Sequence, residues 1–293
     1  SQFLNPKDLV VYTEGRATPK QVFEAQSGGL FRKGRLIVLV DEFSASAAEI
    51  VTGAVQDHDR ALVVGRRTFG KGLVQRPIDL PDGSMIRLTT SHYFTPSGRC
   101  IQKPYVPGQK EDYSQDLEKR FKHGELIHAD SIHLDSSKVY HTLVEHRKVY
   151  GGGGIMPDVF VPLDTAAYTK YYLAMRRYNL FNDAVLRYVD KNRATLLDRY
   201  KRFDDFEKNF EVPAELIARV EAEAAKKKVT PKDEAERKAT MDDLKFVLKC
   251  LIAYDVWDRN EYYTLVNRRN DVVKEALRQL TVNRSIPAGT RSR

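Results

Sequence analysis

Cysteine is almost missing from this chain. Cys100 and Cys250 are the only two, far apart in different regions, so neither a disulfide framework nor a cysteine metal site is encoded. No apolar run reaches the roughly 20 residues that a membrane-spanning helix needs, and nothing at Ser1 has the pattern of a signal peptide. Histidine is present, but not in ligand spacing. His123, His128, His133, His141 and His146 crowd one stretch without an H-x-x-x-H pair, so no metal is expected. No small-molecule cofactor is expected either. Basic and aromatic residues are not interleaved in any nucleic-acid motif, so nucleic acid is not expected as a partner despite a net charge of +8. From Leu163 onwards 27 Lys and Arg stand against 21 Asp and Glu, with both signs alternating as they do on solvated helix faces.

What is there is enough chain, 293 residues, for one large or two ordinary domains with a sizeable core. Everything is organised around Leu36 to Gln75. Leu36 to Val40 is a continuous apolar run of strand length, as in a strand covered on both faces. Ser44-Ala45-Ser46 then opens a helix in which Ile50, Val51, Ala54 and Val55 share a face. Ala61 to Gly65 reads as a second buried strand, followed by a loop, Thr68 to Gly72, that presents Lys71. A serine at a helix start and a lysine in a loop thus come from neighbouring strand ends, where open α/β sheets place their sites.

Each of these residues has an ordinary reading. Ser46-Ala47-Ala48-Glu49 is a capping box, and most such serines only satisfy an N–H of the first helical turn. The helix start also supplies backbone donors and the positive end of a dipole, which is where an oxyanion is stabilised. Gly65 to Lys71 matches G-x-x-x-x-G-K, the opening of a phosphate-binding P-loop. That reading fails on context, because no helix follows. Gly72 takes the place of the magnesium-binding hydroxyl, and Leu73 to Phe94, broken by Pro81-Asp82-Gly83, reads as a β-hairpin. A Ser-His-Asp arrangement of Ser46 with His58 is excluded by distance, since twelve residues of helix span roughly 18 Å. Asp57-His58-Asp59 reads as a solvated helix end.

The segment SASAAEIVTGAVQDHDRALVVGRRTFGKGLVQ resembles the signature of the C-terminal processing peptidases, or tail-specific proteases. Thr95-Pro96-Ser97-Gly98-Arg99 and Gly151-Gly152-Gly153-Gly154-Ile155-Met156-Pro157-Asp158 resemble the family too, and about the first 165 residues are covered. The resemblance implies a partial crotonase/ClpP-like α/β protease core in which Ser46 is the nucleophile, Lys71 the general base and Gln75 the third member. The backbone N–H of Ala47 is then the oxyanion donor. A lysine acts as a base only when neutral, and Phe69, Leu73 and Val74 are expected to bury it in apolar surroundings that disfavour its charge. Asp57 also matches a family aspartate, expected to be structural.

Residues 1–162 are therefore expected to form the protease core, with a charged, partly mobile insertion at 103–150. Residues 163–280 are expected to form an all-helical domain, and 281–293 a disordered basic tail. Ser1 to Leu30 reads as strand, then helix. Nothing corresponds to the family's PDZ domain. Phe3 to Arg16 looks like the second half of the catalytic core, so the chain is expected to begin inside the protease domain, without the glycine-rich segment that gives a second oxyanion donor. The implied partner is a polypeptide substrate, with a homo-oligomer or the missing N-terminal portion as further associations and a bacterial cell-envelope location. The alternative is a catalytically silent fragment that serves as a binding or scaffold module.

Overall fold

The computed structural model describes residues 1–105, 113, 115–165 and 168–282. The chain divides into two compact units, one made of Ser1–Leu163 with the segment that begins at Asp271, the other of Asp164–Asn270. The fold is mixed α/β with a helical C-terminal region.

In the first unit an antiparallel sheet has the order β2-β1-β6-β5, from β1 (Leu9–Gly15), β2 (Thr18–Glu24), β5 (Leu73–Asp79) and β6 (Met85–Phe94). A parallel sheet has the order β3-β4-β9, from β3 (Ile37–Val40), β4 (Leu62–Gly65) and β9 (Val159–Phe160). Helix α1 (Ala47–Asp57) is the crossover from β3 to β4. Its Ala54 and Val55 pack with Leu4, Ala25 and Ala61, while Val51, expected on the buried face, is exposed. The strands and turn read from Leu36 to Phe94 are thus present.

Two expectations change, at Thr18–Glu24 and in the last helix. Thr18–Glu24 is a strand and not part of a helix. Gly15 pairs with Thr18 across a tight reversal, and β1 supplies a ladder along the whole segment, which overrides the short amphipathic stretch at Gln21-Val22-Phe23-Glu24. The described part of the insertion contains α2 (Asp116–Lys122) and the β7–β8 pair (Val139–His141, Lys148–Tyr150). Its Arg120, Glu125, Leu126 and Val149 are all buried. The last helix, α9 (Asp271–Val282), belongs to the first unit, where Val272 packs with Val64 and Val161. Its buried face runs through Val272, Ala276 and Gln279 and leaves Leu277 exposed. Thr281 and Val282 end this helix, so they are not tail; residues 283–293 lie outside the described residues.

The second unit contains α3 (Lys170–Arg177), α4 (Leu180–Arg199), α5 (Phe203–Asn209), α6 (Ala214–Lys226), α7 (Glu234–Val256) and α8 (Arg259–Arg269). Phe206, Leu216, Val220, Leu244, Leu248 and Ile252 are sealed at its centre. Thr169 caps α3 by accepting from the Tyr172 N–H, and Asp233 caps α7 by accepting from the Glu236 N–H.

Candidate active site

β3 and β4 run parallel in register from Ile37↔Leu62 to Val40↔Gly65. Their C-terminal ends therefore release two segments side by side, the turn Asp41–Ser46 and the loop Arg66–Gly72. Gly65 fits here only as glycine. Its φ is +137°, and a Cβ would sit 1.8 Å from the Val40 carbonyl oxygen.

The turn is tied by Asp41, whose carboxylate accepts from the N–H groups of Phe43 and Ser44, both at 3.0 Å. It delivers Ser46 to the start of α1 in a conformation that L-residues rarely adopt, φ 57° and ψ −117°. Backbone held there costs about 1–3 kcal/mol and survives only where the surroundings over-determine it. The restraint is Glu49, which has no exposed surface. One of its carboxylate oxygens, Oε2, accepts from the Ser46 N–H at 2.9 Å and from the Lys71 N–H at 2.8 Å. Its other oxygen accepts from the Thr68 hydroxyl and from the Gly70 N–H at 2.7 Å. A buried carboxylate is tolerated only when its hydrogen bonds are filled, and these four donors come from the turn and the loop together. Two N–H groups on one oxygen cannot lie more than about 6 Å apart at ordinary hydrogen-bond lengths. Ser46 and Lys71 are thus brought together at the backbone. The Phe69 N–H adds a second tie, donating to the Ser44 carbonyl at 2.9 Å.

The insertion grips the same loop from outside. The Arg120 guanidinium donates to the carbonyls of Arg67 at 2.7 Å and Thr68 at 3.1 Å. Arg67 and Arg120 both pair with Glu125, at 2.7 and 2.8 Å. Burial by itself would raise the Glu125 carboxyl, but the two guanidiniums hold it below its ordinary value. Farther along, Thr68 exchanges hydrogen bonds with Ile155, its N–H to the Ile155 carbonyl and the Ile155 N–H to its hydroxyl.

The expected apolar burial of Lys71 is not found. Lys71 is exposed, as is Gln75. The Phe69 ring is taken by another lysine: Lys103 Nζ lies 4.0 Å from its centroid and 4.2 Å from that of Tyr113. Lys103 is the buried lysine of this region, and burial lowers its pKa. Gln75 sits in β5 with its amide 3.5 Å from the Thr89 hydroxyl on the facing strand, not on the Lys71 amine. Lys71 and Gln75 do line one pocket of about 780 Å3. Ala47 is the first residue of α1, with its N–H at the helix start.

The Asp57-His58-Asp59 triplet is not solvated. Asp57 and Arg99 form a 2.6 Å ion pair with both side chains fully buried, and Asp57 also accepts from the Ser97 N–H. Asp59 is buried and pairs with Arg147 at 2.8 Å. Asp158, at the end of the glycine-rich motif, accepts from the Val63 N–H at 2.7 Å and from Gln56 and Arg147. Both downstream motifs thus brace α1 and β4. Sequence reasoning saw Glu49 only as a cap, although S-x-x-E was its signal. Lys103, Arg120 and Glu125 gave no local signal, since the loop residues they hold, Phe69 and Arg67, lie far earlier in the chain. Among the described residues no group of three His, Cys, Asp or Glu could hold a metal. A further groove, about 650 Å3 beside Leu251 and Tyr254, lies wholly within the helical unit and contains none of these residues.

Residues 1–114 match the family model described as peptidase family S41, and residues 171–258 match a family of unknown function (DUF8443). A carboxy-terminal-processing protease of Bartonella bacilliformis is 48% identical over 101 residues, covering 34% of this chain and 23% of that protein. A carboxyl-terminal-processing protease of Synechocystis is 43% identical over 98 residues, covering 33% and 23%. A chloroplastic C-terminal processing peptidase of Tetradesmus obliquus is 38% identical over 115 residues, covering 38% and 25%. The chain thus spans about a quarter of the length of these curated relatives. Among solved structures, a photosystem II D1 C-terminal processing protease aligns with a TM-score of 0.36 and 25% identity, over 55% of this chain and 29% of that one. The likeness of this chain to peptidase family S41 is thus confined to the first 114 residues, the part that carries Ser46, Lys71 and Gln75.

Proposed function

We propose that this chain carries the catalytic residues of a serine endopeptidase of the C-terminal processing type, which cuts unfolded or tail-exposed polypeptides. The carrying observation is the backbone of Ser46. A non-glycine residue at φ 57°, ψ −117°, on a sharp strand-to-helix turn, is strained for a purpose, and the same turn geometry exposes nucleophilic serines elsewhere. Glu49 keeps the lysine-bearing loop beside it.

Ser46 Oγ attacks the carbonyl carbon while the neutral Lys71 amine takes the hydroxyl proton. The oxyanion forms at the N-terminus of α1, where the Ala47 N–H and the helix dipole stabilise it. Collapse breaks the C–N bond, the Lys71 ammonium protonates the departing amine, and an acyl-enzyme remains on Ser46. Water then attacks the ester as Lys71 again accepts the proton. This releases the new carboxyl terminus and restores the serine. Gln75 orients the amine through its side-chain carbonyl, exchanging its long Thr89 contact for the lysine. The same reading puts the protein at the bacterial cell envelope.

The test is turnover of an unfolded polypeptide such as β-casein. Ser46→Ala and Lys71→Met should each lower the rate by at least about 1000-fold, as loss of nucleophile or base does in hydrolases of this logic. Equal rates for Ser46→Ala and the parent would remove the nucleophile. An undiminished rate in Lys71→Met speaks against a lysine base. The second reading, a silent binding or scaffold module, draws on the exposure of Lys71. It predicts no turnover by the parent protein and unaltered partner binding in Ser46→Ala.

A further inference from the structure

The mechanism uses Lys71 and Gln75 but leaves the rest of their shared pocket unexplained. Apolar atoms supply most of its lining, chiefly from Leu73, Pro104, Tyr105 and Tyr113. The aromatic wall is fixed. Phe69 and Tyr113 meet edge to face with centroids 6.3 Å apart, and Tyr113 and Tyr105 do so at 5.8 Å. Lys103 pins two of these rings through cation–π contacts. It donates to the Tyr113 carbonyl at 3.0 Å and to Asp116 at 3.1 Å, so its charge is already answered by the protein. Tyr105, by contrast, is 55% exposed at the pocket mouth.

The charges of the lining narrow the occupant. Among the described residues no Asp or Glu lines the pocket, and the nearby Asp116 is already paired with Lys103, so a basic side chain finds no free counter-ion there. An acidic side chain would be attracted, but beside Lys71 it would keep the amine protonated and disable the base. An uncharged group is left. A volume of about 780 Å3 exceeds what a methyl group could fill, and small side chains would leave the aromatic wall wet.

We propose that this pocket receives a large apolar side chain, aromatic by preference, from the polypeptide next to the bond that Ser46 attacks. The assignment rests on the serine-peptidase reading for its link to a scissile bond, but the pocket's ligand preference can be tested without turnover.

The probe is acetyl-Ala-Ala-(p-benzoylphenylalanine)-amide, irradiated with the Ser46→Ala protein, with crosslinks mapped by mass spectrometry. Label is expected at Leu73, Tyr105 or Tyr113. It should fall at least fivefold with excess acetyl-Ala-Ala-Phe-amide, and not with acetyl-Ala-Ala-Asp-amide. Tyr105→Ala, at a half-exposed site whose loss leaves the core intact, should also lose the label. Crosslinks scattered outside the pocket, or equal competition by the two peptides, would overturn the proposal. In the parent protein, cuts in β-casein that depend on Ser46 should cluster at large apolar residues. Tyr105→Ala should narrow the kcat/KM preference for Phe over Ala at that position by about tenfold. The two claims fail separately. Pocket labelling with undiminished cleavage by Ser46→Ala sinks the peptidase reading alone. Ser46-dependent cleavage with no pocket label sinks the subsite alone.

Discussion

The two units bury different kinds of atoms. In the first, Glu42, Glu49, Asp57, Asp59, Arg60, Arg66, Arg99, Lys103, Arg120 and Glu125 are all less than a tenth exposed. In the second, Thr240 is the one buried polar residue among those described, and the interior is leucine, isoleucine, valine and aromatic rings. Apolar packing is forgiving about direction, because dispersion and burial depend on contact area and not on angle. A buried ion pair is unforgiving. It must be met by its partner or it destabilises strongly. The first unit therefore uses directional bonds where two segments must be set to within a fraction of an ångström, around Ser46 and Lys71. The helical unit only has to be full.

That contrast can be broken most sharply at Arg99. Arg99→Met strands the fully buried Asp57 carboxylate and should cost the first unit about 3–5 kcal/mol, read as an earlier midpoint in urea. Replacing both partners by apolar residues should recover much of it, since the loss comes from the unpaired charge. In the helical unit Leu248, with no exposed surface, is the counterpart. Leu248→Ala should cost about 2–5 kcal/mol through the cavity it leaves, with no dependence on pH. An urea midpoint that shifts equally with pH in both variants would erase the distinction.

Acid should separate the units next. The Glu125 carboxyl is held below its ordinary value in the fold, so the unfolded chain takes up its proton first. Its stabilisation is complete above the unfolded value of about 4.3 and is lost as pH falls through the lower folded value. The first unit should lose stability across that window, and Glu125→Gln should flatten the slope there. The smallest effect is expected at Ser46. Ser46→Gly removes the Cβ from a left-handed backbone position and should gain up to about 1 kcal/mol while abolishing turnover. A loss of stability in that variant would mean that the turn is not strained.

The β3–α1–β4 crossover was legible because two β-branched runs and a capping signature are local patterns. Lys71 was legible because glycines frame it. The surroundings of Lys71 were not. Phe69 is near it in sequence, yet its ring is claimed by Lys103, which approaches from a later strand connection. The bonds of the insertion were hidden for the same reason. Arg120 and Glu125 look like ordinary surface residues until Arg67, more than fifty positions earlier, completes their triad. The buried face of α9 was not legible, since Val272, Val273, Leu277 and Leu280 offer two competing stripes, and packing of Val272 with Val64 and Val161 decides between them.

The return of α9 to the first unit bears on biosynthesis. Val272 completes a cluster with Val64 and Val161, and the Leu280 carbonyl accepts from Arg35, so part of the sheet's cover is encoded after the entire helical unit. A ribosome adding about 5–20 residues per second needs on the order of ten seconds to translate that intervening stretch. During that interval the nascent sheet has an uncovered apolar flank, and a chaperone that shields it would raise the yield of folded protein.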